Sequence, residues 1–194
     1  MYDTEFAVIP YDSYEWEEEL ADRYIRNIFR LDDAVKNNDW EKVSSLIILN
    51  PDIMEDGLKR VYPLLPDEYK FSIPTECQTH NGDRMPGVRK YVRQARKYVP
   101  IEKRIPIEMI GLPEIEVYRA GVEPLDKAAY RISWTTSLDV ARWFYDRAAT
   151  FRWPQGHIYK GIIKPEKIIW YTDGRKEKEV MQYNSVRNIV ELER

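Results

Sequence analysis

Two glutamates one residue apart, Glu177-Lys178-Glu179, follow the turn signal Asp173-Gly174. In extended backbone, residues two apart point the same way, so both carboxylates are expected to face one side at the mouth of a sheet. Two like charges that close are costly unless they meet a cation or hydrogen-bond donors. Such a pair suits stabilisation of a developing positive centre and activation of a nucleophile. Upstream, Arg119 ends the strand pattern Glu114-Ile115-Glu116-Val117-Tyr118, where its always-charged guanidinium can grip a pyrophosphate bidentately. Between them lies Ser133-Trp134-Thr135-Thr136-Ser137, whose hydroxyls alternate with bulky residues as on a strand lining a cleft. Each segment alone has a plainer explanation. These are a charged turn partnered by Arg175, Lys176 and Lys178, an ordinary end-of-strand arginine, and a strand leading into a capped helix.

The elements that must position these residues change character along the chain. Residues 1–105 read as a mainly helical region, and 106–194 as a strand-rich core, so the class is α+β. Ser13 is placed to cap a first helix, in which Trp16, Leu20, Tyr24, Ile28, Leu31 and Val35 recur at helical spacing. Asn38-Asp39 opens a second helix, Trp40 to Leu49, and a third runs from about Ile53 to Leu64. Pro66, Pro74, Gly82, Pro86 and Gly87 mark 66–87 as a loop-rich joint. A fourth helix, about Gly87 to Tyr98, has Arg89, Arg93, Arg96 and Lys97 on one side and Val88, Tyr91, Ala95 and Tyr98 on the other. Strands are then expected at 114–118, 130–134, 156–163, 167–171, 179–183 and 186–192. A helix over Leu138–Ala148 is capped by Thr136 or Ser137.

Composition narrows the classes. At 194 residues with 43% hydrophobic and 32% charged residues, the chain is globular, and a net charge of −3 argues against general coating of nucleic acid. Cys77 is the single cysteine, so no intramolecular disulfide forms, and no Cys/His grouping has zinc spacing. The acidic start and the lack of a long apolar run give no signal peptide or membrane span. A cytoplasmic location, in the producing cell or in a host, is expected. The 6 Trp, 14 Tyr and 5 Phe are read mainly as core anchors.

The order of the three segments resembles the arginine–serine–glutamate branch of the ADP-ribosyltransferase superfamily. There an aromatic-Arg pair ends a first core strand, a Ser-x-Thr strand leads into a helix, and a Glu-x-Glu turn precedes a late strand. Tyr118-Arg119, Ser133-Trp134-Thr135 and Glu177-Lys178-Glu179 match these in turn. Ser133-Trp134-Thr135-Thr136 with Ala141 and Phe144 downstream is similar to a segment of small bacterial and phage members. Ala120 stands where relatives often have glycine. The resemblance covers about residues 114–192 and implies a mixed or antiparallel sheet core preceded by the helical region, which would dock a target or act as a lid.

The implied activity is NAD-dependent mono-ADP-ribosyl transfer with release of nicotinamide, as in a bacterial or phage effector. Arg119, beside Tyr118, would hold the NAD phosphates or the nicotinamide ribose. Ser133 and Thr135 would steady the catalytic strands. Glu179 would bind the ribose 2′-hydroxyl and stabilise the cationic centre. Glu177 would orient or deprotonate the nucleophile, and Phe144 or Trp134 would stack on nicotinamide. No metal is implied. The acceptor is macromolecular, with protein expected ahead of nucleic acid, and no membrane is involved. Two other readings stand beside this one: a non-catalytic nucleotide- or partner-binding module on the same fold, and a nucleic-acid interaction protein using the basic helix 87–98.

Overall fold

The structure is a computed structural model that describes residues 14–81, 86–150 and 156–193. Ser13, expected to cap the first helix, lies outside the described residues. The chain divides into two compact units, Met1–Pro63 and Leu64–Arg194.

The described part of the first unit is helical: α1 (Tyr14–Lys36), α2 (Trp40–Leu49) and α3 (Met54–Val61). Asn38 takes a left-handed backbone (φ 54°), which ends α1 and hands over to Asp39. The Asp39 carboxylate then accepts from the Lys42 backbone N–H at 3.1 Å and caps α2, as the Asn38-Asp39 signal anticipates. Leu31, Val43, Ile47, Ile53, Met54 and Leu58 are each fully buried and form this unit's interior. The Asn27 amide donates to Asn50 at 3.1 Å and to Asp52 at 3.2 Å, tying the α2–α3 loop to α1.

The second unit contains an antiparallel six-stranded sheet. Its strands are β1 (Ile115–Gly121), β2 (Ser133–Thr135), β3 (His157–Ile163), β4 (Trp170–Thr172), β5 (Glu179–Met181) and β6 (Arg187–Glu191), in the order β4-β5-β2-β1-β3-β6. Its helices are α4 (Asp67–Asn81), α5 (Arg89–Ala95), α6 (Ile101–Arg104), α7 (Ile107–Ile110), α8 (Leu125–Ala128) and α9 (Leu138–Thr150). The α+β class holds, and the sheet is antiparallel throughout. No helix of the described residues is long and apolar enough to cross a membrane.

One expectation is corrected, and the compact units add a boundary of their own. The compact units part at Pro63/Leu64, whereas the change from helices to strands comes after α7, at the start of β1. The segment 66–87 is not a loop-rich joint, because α4 fills most of it despite Pro74 in its interior. Proline in a helix interior removes one backbone donor and crowds the preceding turn. Burial outweighs that cost, since Phe71, Ile73 and Cys77 are all packed inward. The Thr75 hydroxyl donates to the Phe71 and Ser72 carbonyls at 2.9 and 3.0 Å, satisfying acceptors in the disturbed turn.

Strand alternation separates two faces of the sheet. One face holds Ile115, Val117, Trp134, Tyr159, Ile163 and Val180, which pack with Ile105, Ala128 and Ile168 into a core. Facing pairs set the other side: Tyr118 lies opposite Thr135, and Thr135 and Thr172 each lie opposite Glu179. Helix α4 crosses this second face, with the Phe71 ring edge-on to Trp170 at 5.1 Å.

The pairing of β3 with β6 shifts register between Lys160 and Ile162. Gly161 sits at the shift, and a Cβ there would collide with the Val186 side chain and stand 3.2 Å from the Arg187 carbonyl oxygen. Gly161→Ala is therefore expected to destabilise the second unit by about 1–3 kcal/mol. Urea unfolding followed by fluorescence measures this, and an unchanged midpoint would show that β6 moves away without cost.

Candidate active site

Glu179 begins β5, and its carboxylate is the most enclosed acid of the glutamate pair, with 6% of the residue exposed. The Ser133 hydroxyl hydrogen-bonds it, and the Thr79 hydroxyl of α4 donates to Oε2 at 3.4 Å. Burial pushes the Glu179 pKa above the ordinary glutamate range, and Glu177 adds to the rise. Ser133, Arg175 and Thr79 oppose it without cancelling it. Gln78, the neighbour of Thr79 on α4, donates from Nε2 to the Ser133 hydroxyl at 3.4 Å. Its Oε1 is buried and, among the described residues, accepts no hydrogen bond.

Glu177 belongs to the turn rather than to the strand. Lys176 and Lys178 both have left-handed backbone (φ 58° and 46°), so the extended geometry expected across Glu177-Lys178-Glu179 is absent. The turn is held from several sides. The Glu177 carboxylate pairs with Arg175 at 2.7 Å, its carbonyl accepts from the Thr135 hydroxyl at 2.7 Å, and the Lys178 N–H donates to Asp173 at 3.1 Å. Thr135 thus has a concrete role, because one hydroxyl joins β2 to the glutamate turn and also accepts from the Ser137 N–H at 3.1 Å. The Ser137 hydroxyl in turn accepts from Val140 N–H at 3.4 Å, which settles the helix cap on Ser137.

Arg119 is placed differently from Glu179. It follows Tyr118 by one residue in a regularly paired strand, so its side chain leaves the sheet on the core face. Its Nε pairs with Glu123 at 2.6 Å, and its Nη1 donates to the Ser133 carbonyl at 2.5 Å. The arginine therefore reaches the strand that carries Ser133, but from the far side. Glu123 is 6% exposed and also faces Arg131 at 3.4 Å. Burial pushes its pKa up, but the Arg119 charge and hydrogen bond, a backbone hydrogen bond and Arg131 outweigh that and hold it low. Gly121 leaves the space this carboxylate occupies, since a Cβ there would overlap it.

The aromatic candidates separate. Tyr118 shares the face of Thr135 and Glu179, and its hydroxyl donates to Glu116. That hydrogen bond, together with burial and the Glu116 charge, pushes its pKa up to about 12. Trp134 packs into the core cluster. It is 3% exposed on the core face, and its indole N–H donates to the Arg131 carbonyl at 3.2 Å. Phe144 is exposed on α9 with its ring edge-on to Trp143 at 4.9 Å, and the structure does not draw it into the Ser133–Glu179 group.

Sequence reasoning missed Gln78, Thr79 and Glu123. Thr79 lies 100 residues before Glu179 and sits in a segment whose prolines and glycines mask a helix. Glu123 does carry a local signal, because it stands four residues after Arg119 across a turn. Burial pushes the Cys77 thiol up to about 12, which removes it as a nucleophile near neutral pH. Among the described residues no group of three or more His, Cys, Asp and Glu side chains is arranged to hold a metal ion.

No family model, curated protein or solved structure matches the chain.

Proposed function

We propose that the chain is an NAD-dependent mono-ADP-ribosyltransferase with Glu179 as the residue that stabilises the reacting ribose. The observation that carries this reading is the buried Ser133–Glu179 hydrogen bond, on strands that also bring Arg119 to Ser133 and Thr135 to the Glu177 turn. The donor set suits a nicotinamide riboside. Gln78 Oε1 is a buried acceptor beside Ser133 and would accept from a ribose hydroxyl or carboxamide N–H. Glu179 would accept from the 2′-hydroxyl, and its charge would offset the positive charge that develops as the glycosidic C–N bond breaks. Nicotinamide leaves neutral with the bonding electron pair on its ring nitrogen. Glu177 would take the proton of the acceptor nucleophile that bonds to the ribose carbon. Arg119 would act from the far face of the sheet, through its hydrogen bond to the Ser133 carbonyl.

The test is incubation of the full chain with NAD labelled in the adenosine half, together with a cell lysate. Nicotinamide release and labelled macromolecules are expected, with protein as the main labelled class. NAD left intact under conditions where the chain binds it would overturn the transferase reading. That outcome would select a nucleotide-binding module on the same strands, a second reading favoured by the enclosure of Glu179 and by the pairing of Arg119 with Glu123.

A further inference from the structure

The basic face of α5 does not stand alone. Arg89, Lys90 and Arg93 line a cleft of about 330 Å³ together with Pro86, Tyr130, Tyr183 and Asn184. None of Ser133, Thr135, Glu177, Glu179 or Gln78 lines it, so it is separate from the glutamate site. Among the described residues its lining contains three cationic side chains and no carboxylate, in a chain whose net charge is −3. A local positive concavity on an acidic protein concentrates anions. The aromatic lining adds a second kind of recognition. Tyr130 is 56% exposed, and the Arg93 guanidinium lies over the Tyr183 ring at 4.8 Å. Flat apolar surface beside cationic forks matches a ligand that joins a planar ring to a phosphate.

The aromatic lining is held in place. Gln182 is fully buried, and its amide donates to the Ala129 carbonyl at 3.1 Å and to the Arg131 carbonyl, which brackets Tyr130. Its Oε1 accepts from the Ser185 N–H at 2.6 Å, closing the turn in which Asn184 adopts φ 49°. One side chain thus fixes both the Tyr130 segment and the Tyr183–Asn184 turn. Preorganisation of that kind lowers the ordering cost of binding.

We propose that this cleft is a nucleotide-binding subsite, in which Lys90 and Arg93 hold a phosphate and Tyr130 stacks on the base. The nucleotide is either free in solution or a unit of a single strand. An acidic peptide would use the cations but has no need of the exposed ring. The proposal does not rest on the transferase reading.

Calorimetry on the full chain with 5′-AMP, a short single-stranded RNA and inorganic phosphate tests it. Binding of AMP or the strand is expected to weaken by about tenfold in Arg93→Gln, which loses a charged phosphate contact. Tyr130→Ala should weaken it by at least about fivefold through lost stacking. Inorganic phosphate should bind more weakly than either and be unmoved by Tyr130→Ala. A strand that binds more tightly than AMP, with a steeper salt dependence, assigns the ligand to nucleic acid, and equal affinity and slope assign it to the free nucleotide. Both substituted side chains are exposed, so folding is not at risk. No binding, binding untouched by both substitutions, or loss confined to Arg93→Gln would each overturn the proposal. Nicotinamide release from NAD, measured in the same variants, should stay at the parent level, so the two readings fail separately.

Discussion

Glu179→Gln is expected to lower NAD cleavage by about 10²–10³-fold while the chain stays folded. The substitution keeps the shape and one accepting oxygen for Ser133 or Thr79, turns the other oxygen into an amide donor that a hydroxyl can accept, and removes the charge. Stability should move the other way. Because burial raises the Glu179 pKa, the folded state holds its proton more tightly than the unfolded chain does. Between the ordinary glutamate value and the raised one, the folded protein binds more protons, so its stability falls as pH rises through that window. The glutamine variant escapes this loss. It should melt at a temperature equal to or above the parent near neutral pH, with the gap narrowing on acidification. Activity of the parent should also fall on the acid side at a pH above that of an unperturbed glutamate, since the carboxylate is the working form. Melting curves across pH and a nicotinamide-release assay measure both arms. A variant that cleaves NAD at the parent rate would remove Glu179 from the chemistry.

The second large effect is expected at Glu123, with the opposite pH signature. Glu123→Ala leaves Arg119 without the carboxylate 2.6 Å away, in a place where only 16% of the arginine side chain meets solvent. Removing one member of a buried pair costs about 3–5 kcal/mol, and the partial exposure of Arg119 puts this one near 3 kcal/mol. The Glu123 pKa is held low in the folded protein. Its contribution is therefore complete above the ordinary glutamate value and is lost as pH falls through the lowered folded value. Urea midpoints of parent and variant should differ most near neutral pH and converge in acid. A constant gap at all pH values would show that Glu123 acts through packing rather than charge. Glu179 and Glu123 thus form a contrast within one sheet. One carboxylate is enclosed by neutral hydroxyls and raised, and the other is enclosed by guanidinium groups and lowered.

Much of the second unit is legible from local pattern. The alternation through Ile115–Tyr118, the serine before Leu138 and the Asp173-Gly174 turn before Glu179 each report short-range physics, and β1, α9 and β5 lie where those signals put them. The short helices α6, α7 and α8 are missed because four residues carry too little periodicity to register. Helix α4 is missed because Pro74 reads as a breaker, and only packing of Phe71, Ile73 and Cys77 offsets it. The basic stripe of α5 is visible in sequence, whereas its cleft needs Tyr130 and Tyr183, which lie 37 residues and more beyond Arg93.

By itself, then, the sequence determined the α+β class, the strand that carries Arg119, the helix that starts at Leu138 and the start of β5 at Glu179. These follow from backbone preferences and side-chain period over a few residues. The tertiary structure alone decided which face each residue takes and what meets it there. A two-residue period says that Tyr118 and Arg119 diverge, but only the register with β2 and β3 sends Tyr118 to the side of Glu179 and Arg119 to Glu123. It was likewise long-range packing of α4 that brought Thr79 and Gln78 to Glu179 and Ser133, and burial there, not residue type, moves the Glu179 proton affinity.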